Sequence, residues 1–590
     1  MKRAPGLDYE SLRLEGGLLS PTLLDKVRHM TLPHQQPGDY GIEKGLTIRD
    51  ELARYWRIAR ARWEAFEQGR HRQDIDLRRF TLDEWMLPLL ETVLGYQVQA
   101  NTQPLVKGER RFPITHRACD GAVPLVLTAP DQELDKGDVR FGEEGRRRSP
   151  QGLAQEYLNA EQDALWALVS NGRVLRLLRD NPAMTRPAYL EIDFQRLFDE
   201  DNFVDFSLVW LLLHHSRLMP RDGRPEGAIL EQWREQGQQE GERALGELRV
   251  GVTQALRELG SGFLAHPDNA ELRQALEQGE LSPEGYFQEL LRLVYRFLFL
   301  LTAEDRDLVL SPEADEATRE LYRQGYSLGH LRERARYRRY HDRHDDAWEQ
   351  LRITFEGFRK GQPLLGQPVL GGLFAADQCP HLDNAHLGNR YLYKALFHLG
   401  WFQSGDSLVR INYRDMDTEE LGSVYESLLE LVPVVQVEYR PWRFAFLGDP
   451  EPGAEPAQDK QRGSARKTTG SYYTPDSLVQ ELIRTALEPL IERTLKENRE
   501  QPVEALLNLK VVDPAAGSGH FLLAAARRLA AEVARLRAGA DQPTESDYRH
   551  ALREVVAHCI YGVDLNPLAV ELCKTALWLE TVEPGKPLGF

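Results

Sequence analysis

A multi-domain α/β protein is what the sequence predicts: an α/β domain first, a helical connector next, and a Rossmann-like domain at the C-terminal end. Three observations carry that expectation. Residues 511–523 read Val-Val-Asp-Pro-Ala-Ala-Gly-Ser-Gly-His-Phe-Leu-Leu, an apolar strand that breaks into an acidic, glycine-rich turn and runs into a helical pattern over 521–530. Residues 560–567, Ile-Tyr-Gly-Val-Asp-Leu-Asn-Pro, form a second short strand closed by an acid. From about 230 to 448, apolar residues recur at three-to-four spacing, the mark of helices. The 590 residues suit three or four domains at roughly 150 each.

Taken in order, the first domain spans 1–229. Residues 51–70 place Trp56, Ala59, Trp63 and Phe66 on one helical stripe, most simply a core face. Short extended segments follow at 97–101, 112–115 and 123–127. Ser149-Pro150 opens a helix over 149–159. Residues 165–178 read as two strands joined by an Asn171-Gly172 hairpin turn. The connector, 230–448, carries helical spacing at 244–259, 271–278, 286–303, 391–399 and 419–431. Glu304-Asp305-Arg306-Asp307 reads as a charged loop ending a helix. Residues 449–468, rich in proline, glycine, alanine and charge, have no period and read as a flexible linker. The last domain is 469–590.

The turn after the first C-terminal strand suits a nucleotide-like ligand. Gly517 and Gly519 give backbone freedom and bare N–H groups where a ligand approaches the main chain, and the following helix presents its N-terminal donors there. Asp564, ending the second strand, is placed to accept hydrogen bonds from ribose hydroxyls. The separation from Asp513 to Asp564 exceeds the roughly 20 residues of a dinucleotide site, and the turn lacks Gly-x-Gly-x-x-Gly. Both points argue against nicotinamide or flavin.

Together with Thr469-Gly470-Ser471-Tyr472-Tyr473-Thr474-Pro475, these motifs resemble the S-adenosyl-L-methionine (AdoMet) site of gamma-class DNA adenine-N6 methyltransferases, in the branch of large fused methylases of the Eco57I type. The resemblance covers about the last fifth of the chain. It implies that Tyr473, Thr474 and Pro475 cover the methionine end of AdoMet. Asp513, Pro514, Ala515, Gly517 and Gly519 would form the turn beneath it. Asp564 would hold the ribose, with Leu565 and Asn566 near the adenine.

That class works through a tetrapeptide Asn/Asp-Pro-Pro-Tyr/Phe/Trp, and the sequence contains none. Asn181-Pro182-Ala183-Met184 and Asp449-Pro450-Glu451-Pro452 lack the second proline and the ring, while Asn566-Pro567-Leu568-Ala569 belongs to the cofactor segment. No catalytic residue is assigned. The expectation is the front part of a longer enzyme, with a truncated methyltransferase domain and the target-recognition domain elsewhere.

The order of elements in the first domain resembles the nuclease-like domain that precedes the methyltransferase in the fused enzymes. An active nuclease of that kind needs an acid and then Asp/Glu-x-Lys on the next strand to hold a divalent metal. Asp120 is a candidate first acid. The next strand, Pro124-Leu125-Val126-Leu127-Thr128-Ala129-Pro130, offers no carboxylate or lysine, and Glu133-Leu134-Asp135 puts aspartate where lysine belongs. The expectation is an inactive scaffold with no metal.

Net charge is −17, unusual for a surface that binds DNA throughout, so any DNA contact is local. Candidate patches are Arg146-Arg147-Arg148, residues 332–343 with Arg336, Arg338 and Arg339 beside Tyr337 and Tyr340, and residues 460–467 with Arg466 and Lys467. Each equally suits a solvated face. Cys119, Cys379, Cys559 and Cys573 fall singly and read as reduced packing residues of a cytoplasmic protein. Apolar runs at 208–213 and 297–301 are too short to span a bilayer.

The reading is an AdoMet-dependent, site-specific DNA adenine-N6 methyltransferase acting on double-stranded DNA in restriction-modification or phage defence. A nuclease-like domain without metal residues resembles the DISARM-type defence methylase, which implies separate defence partner proteins. Two alternatives stay open: a type IIG enzyme that both cuts and modifies, and a non-catalytic DNA-binding assembly subunit.

Overall fold

A computed structural model describes residues 9–588 apart from 16–17, 73, 109, 143–146, 162, 181–187, 405–406, 415, 417–421, 423, 425–427, 429–430, 450–473, 475 and 539–544. It is a mixed α/β protein of two compact units, one comprising Met1–Gly241 and Ala534–Tyr548, the other Glu242–Val533 and Arg549–Phe590.

The first unit is built on a seven-stranded sheet of β1 (Leu12–Glu15), β2 (Gln99–Ala100), β5 (His116–Ala118), β6 (Val123–Leu127), β7 (Trp166–Ser170), β8 (Val174–Arg179) and β9 (Tyr189–Asp193), in the order β1-β9-β8-β7-β6-β5-β2. A small hairpin, β3 (Leu105–Lys107) with β4 (Arg110–Phe112), stands apart from it. Among the described strands of this sheet, only β6 and β7 pair in parallel. Every residue of those two strands is buried, as expected of central strands covered on both faces. Alternation sorts their side chains. Leu125, Leu127, Trp166 and Leu168 join the core beneath α1 (Ile48–Gly69), which contributes Trp56, Trp63 and Phe66. Val126, Ala167 and Val169 join the opposite core, with Leu153, Ala154 and Tyr157 of α2 (Pro150–Ala160).

The local signals are where the sequence puts them. Ser149 caps α2, its side chain accepting from the Gly152 N–H at 3.0 Å. The β7–β8 hairpin turns at Asn171-Gly172, where Asn171 Oδ1 accepts from the Val174 N–H at 3.0 Å. Gly172 has φ +82°, and a Cβ there would lie 2.5 Å from Thr81 Cγ2, so both conformation and packing exclude a side chain. The core also takes in α3 (Phe203–Leu213), whose Leu208, Val209, Trp210, Leu211, Leu212 and Leu213 are all buried.

The second unit is mainly helical, and the division from the first falls inside α4 (Ile229–Ala265). At its centre runs α5 (Pro283–Asp305), buried from Tyr286 to Ala303 except at a few positions. Around it lie α6 (Leu328–Ala335), α7 (Asp346–Lys360) and α8 (Asn389–Gly400). Two features here go beyond the helical expectation. The connector contains two antiparallel hairpins, β10 (Trp401–Ser404) with β11 (Ser407–Arg410), and β12 (Pro433–Gln436) with β13 (Arg443–Phe446). The charged segment 304–307 ends α5, and two of its acids are engaged by distant partners. Glu304 accepts from the Tyr322 hydroxyl at 2.7 Å, the Leu328 N–H at 2.9 Å and the Gly329 N–H at 2.7 Å. Asp305 pairs with Arg332 and Arg410 at 3.0 and 2.8 Å. These acids tie the end of α5 to α6 and β11. The expected helix at 419–431 lies largely outside the described residues, as does the linker beyond Asp449.

The C-terminal part pairs β14 (Val511–Asp513) with β15 (Ile560–Gly562) in parallel. This sheet has two strands among the described residues. Val512, Tyr561 and Val563 stay exposed. Helices α9 (His520–Ala538), α10 (Glu545–Cys559) and α11 (Pro567–Thr581) follow. A buried ion pair, Arg527 Nε to Glu580 Oε1 at 2.9 Å, joins α9 to α11.

Candidate cofactor site

Parallel pairing brings the two C-terminal acids to the same edge of the sheet. Val511, Val512 and Asp513 stand opposite Ile560, Tyr561 and Gly562. The pairing continues past the strands, with the Val563 N–H donating to Asp513 O and the Ala516 N–H to Val563 O, both at 2.9 Å. Asp513 and Asp564 therefore leave adjacent strands at their C-terminal ends, the edge where open α/β sheets bind ligands. Asp513 Oδ1 accepts from the Ala515 N–H at 3.0 Å, which folds the turn back. Asp564 Oδ2 accepts from the Gly517 N–H at 2.9 Å and its Oδ1 from the Asn566 N–H at 2.8 Å.

The glycines divide by role. Gly517 has φ +53°, a conformation that suits glycine, and among the described residues a Cβ built on it would meet nothing within 4 Å. Gly519, at φ +87°, would drive a Cβ to 2.8 Å from Cys573 Sγ, and a Cβ on Gly562 would lie 2.8 Å from Leu522 Cδ1. The last two are packing glycines that let α9, α11 and β15 approach. The expectation of bare amides at both turn glycines is corrected: the Gly517 N–H is held by Asp564 and the Gly519 N–H by Ala516 O.

Among the other expected residues, Pro514 and Ala515 are exposed, Leu565 is fully exposed, and Thr474 is half-buried. Asn566 caps α11, its Oδ1 accepting from the Leu568 N–H at 3.0 Å. Tyr473 and Pro475 lie outside the described residues. Gly422, from the 419–431 stretch of the connector, sits against Ser518, with a Cβ placed 3.4 Å from Ser518 Cβ. Burial pushes the Cys573 thiol up to about 12, and the charges of Asp513 and Asp564 add to it. The thiol is thus held protonated at neutral pH, and both carboxylates lie close enough to bear on one atom. An open floor beside Gly517 flanked by two carboxylates favours a ligand with hydroxyl or cationic donors and repels a pyrophosphate.

The basic patches behave differently from one another. Arg336 lies 4.7 Å from the Tyr337 ring and 5.4 Å from Trp401, while Arg339 lies 5.4 and 4.8 Å from the rings of Tyr337 and Tyr340. Arg338 and Tyr337 are exposed. Arg332, at the start of that run, is instead buried in the Asp305 pair. Arg148 is also buried, paired with Glu156 at 2.9 Å, so the 146–148 run is not a surface patch at that position. Arg146, Arg466 and Lys467 lie outside the described residues.

In the first unit, Asp120 sits exposed on the turn between β5 and β6, with Cys119, Asp120 and Gly121 all at positive φ. Asp135 points elsewhere. Its Oδ1 meets Arg176 Nη1 at 2.6 Å, and Arg176 Nε meets Glu191 Oε2 at 2.6 Å, with Gln151 bonded to the same guanidinium. Burial disfavours the Arg176 charge, but the two carboxylates outweigh it and hold its pKa above the ordinary value. Sequence reasoning missed this cluster; the local signal was Arg176, a charge set inside the apolar interior of β8, whose last residue is Arg179.

Residues 460–586 match the N-6 DNA Methylase family. The chain is 23% identical over 251 residues, 36% of its length, to a protein of Methanocaldococcus jannaschii described as a type II restriction enzyme and methyltransferase, of which it covers 18%. It is 30% identical over 136 residues, 23% of its length, to the adenine-specific methyltransferase PglX of Streptomyces coelicolor, of which it covers 9%. The chain thus spans less than a fifth of either curated relative. A solved DNA complex of the type IIL restriction-modification enzyme MmeI aligns with TM-score 0.30 and 17% identity, over 56% of this chain and 36% of that one. No helix among the described residues is long and apolar enough to cross a membrane.

Proposed function

We propose that this chain is the AdoMet-binding part of a DNA adenine-N6 methyltransferase from a restriction-modification or phage-defence system. The observation that carries the reading is the open Gly517 floor between Asp513 and Asp564, within the stretch that matches the methylase family. AdoMet bears a sulfonium, an ammonium and ribose hydroxyls but no phosphate, the ligand chemistry that two adjacent carboxylates favour. Asp564 holds the ribose, and Asp513, Pro514, Ala515, Gly517 and Gly519 form the floor. Leu565 and Asn566 flank the adenine, and Tyr473, Thr474 and Pro475 close over the methionine end. The site belongs to a Rossmann-like domain from 469 to 590, after a nuclease-like domain over 1–229, a helical connector over 230–448 and a linker over 449–468.

DNA is the second substrate, met by Arg336, Arg338 and Arg339 and by Arg466 and Lys467. Methyl transfer needs acceptors for the adenine amino group and a ring to stack on the flipped base. The sequence has no Asn/Asp-Pro-Pro-aromatic run to provide them. The chain by itself therefore binds cofactor without transferring the methyl group, and in defence it works with separate partner proteins. Calorimetry with AdoMet and tritium transfer to double-stranded DNA test this together. Binding without transfer is expected; absence of binding would leave a non-catalytic assembly subunit. Transfer by the purified 590-residue chain would refute the missing-tetrapeptide argument.

A further inference from the structure

Away from the cofactor turn, three side chains of metal-ligand type converge in the second unit. Asp345 immediately precedes α7 and Glu349 lies four residues on, so helical geometry sets both carboxylates on one side. His386 approaches from the segment before α8. Its Nδ1 is 3.2 Å from Asp345 Oδ2 and 3.7 Å from Glu349 Oε1, and the three candidate ligand atoms all lie within 4.8 Å of one another. In a tetrahedral zinc site with bonds of about 2.0–2.1 Å, ligand atoms stand about 3.3–3.4 Å apart. Those two measured edges bracket that value.

These atoms bond within the cluster and to Arg352: His386 Nδ1 pairs with Asp345 Oδ2 at 3.2 Å, and a cation would take the place of those bonds. Asp345 occupies the N-cap position of α7, yet its side chain makes no capping bond. Asn389 Oδ1 meets the helix start instead, accepting from the Ala347 N–H at 3.2 Å. His386 is fixed through its main chain. Its N–H donates to Asn269 Oδ1 at 2.8 Å and its carbonyl accepts from Asn269 Nδ2 at 2.7 Å, Asn269 itself being buried. His266, from the turn after α4, stacks on the His386 ring with centroids 5.3 Å apart and 20° between planes. Arg352 Nη1 donates to both Glu349 oxygens, at 2.9 and 3.1 Å, and orients that carboxylate.

We propose that Asp345, Glu349 and His386 form a site for a divalent first-row transition cation, zinc foremost, that clips the start of α7 to the segment before α8. One imidazole and two carboxylates suit zinc, and three protein ligands leave a fourth position for water. Magnesium or calcium would need six or more oxygens. The four cysteines do not compete, because each is buried. A divalent ion also offsets the repulsion between two carboxylates brought together on one helix turn.

The test uses the untagged full chain after chelation. Zinc is titrated by calorimetry, and cobalt(II), its spectroscopic stand-in, by visible absorption. We expect saturable binding with the bands of four- or five-coordinate cobalt, a higher melting temperature with zinc, and no displacement by excess magnesium. His386→Gln and Asp345→Asn should each weaken zinc binding by about tenfold or more and abolish the cobalt bands. The Asn269 clamp is to main-chain atoms, so His386→Gln should keep the melting temperature of the metal-free protein. Failure to bind zinc, unchanged affinity in both variants, or displacement by magnesium would each overturn the proposal.

Discussion

The Gly517 amide donates to the Asp564 carboxylate at 2.9 Å, which makes the turn after β14 and the acid that ends β15 one structural unit. A change at either end should therefore be felt by the same ligand. Asp564→Ala removes a charged acceptor and should weaken AdoMet binding by at least ~1 kcal/mol, about fivefold. Gly517→Ala meets no atom of the described residues within 4 Å, but it strains a left-handed residue by roughly 1 kcal/mol and puts a methyl group on the proposed ligand floor. Calorimetry with a parallel melting curve checks both. A loss of affinity with little loss of stability supports the site; unaltered affinity in both variants would remove Asp564 and Gly517 from it.

The cofactor turn was legible because its determinants are local: an acid, two glycines and a strand-to-helix change within a dozen residues. What sequence could not separate was the purpose of each glycine, since the Cys573 sulfur that crowds Gly519 arrives from α11. The Arg176 cluster was hidden for the same reason. Glu191 faces Arg176 only through the β8–β9 register, and Asp135 comes from a loop before α2. In the connector, strands of four residues are too short to establish a period of two, and β10 starts directly at the end of α8. Glu304 and Asp305 looked like loop charges because their partners, Tyr322, Arg332 and Arg410, lie far along the chain.

The N-terminal unit should not nick DNA with or without Mg²⁺ or Mn²⁺. Asp120 is separated from any second acid on β6, every residue of which is buried and none of which is a carboxylate. Of Glu133 and Asp135, the acids that follow β6 and could substitute, Asp135 is committed to Arg176, a cation already in place. Plasmid relaxation by the purified chain is the assay. Metal-dependent nicking that vanishes in Asp120→Ala would restore the type IIG reading.

If the Arg336, Arg338 and Arg339 surface meets phosphates, the triple alanine variant should weaken binding to unrelated duplexes alike. Each lost phosphate contact should flatten the slope of log affinity against log salt by about 0.9. Anisotropy titrations across a salt series give that slope. Arg338 is exposed, whereas Arg336 and Arg339 pack on the rings of Tyr337, Tyr340 and Trp401, so a parallel melting curve separates lost packing from lost phosphate contact. A weaker complex with an unchanged salt slope would mean that these arginines act on packing and not on phosphate.

The first unit should lose stability in mild acid through His214. Burial is the main cause holding its pKa down, to about 3, and the neighbouring His215 and Arg217 add to it. Its ring packs against Trp210 and Tyr40, and its Nδ1 pairs with Ser216 Oγ at 2.8 Å. Because the unfolded chain binds the proton more readily, the contribution is complete above the unfolded value of about 6.5 and is lost progressively as pH falls towards 3. The slope is about 1.4 kcal/mol per pH unit inside that window, or roughly 2 kcal/mol between pH 6.5 and pH 5. Urea unfolding followed by tryptophan fluorescence includes this unit's signal, since Trp63, Trp85, Trp166, Trp210 and Trp233 are all buried there. Trp348, Trp401 and Trp442 of the second unit contribute too, so the comparison with a His214 variant isolates the effect. His214→Gln should lower stability at neutral pH, where the ring loses its packing, and flatten the acid dependence. An acid dependence as steep in the variant as in the parent would assign the transition to other groups.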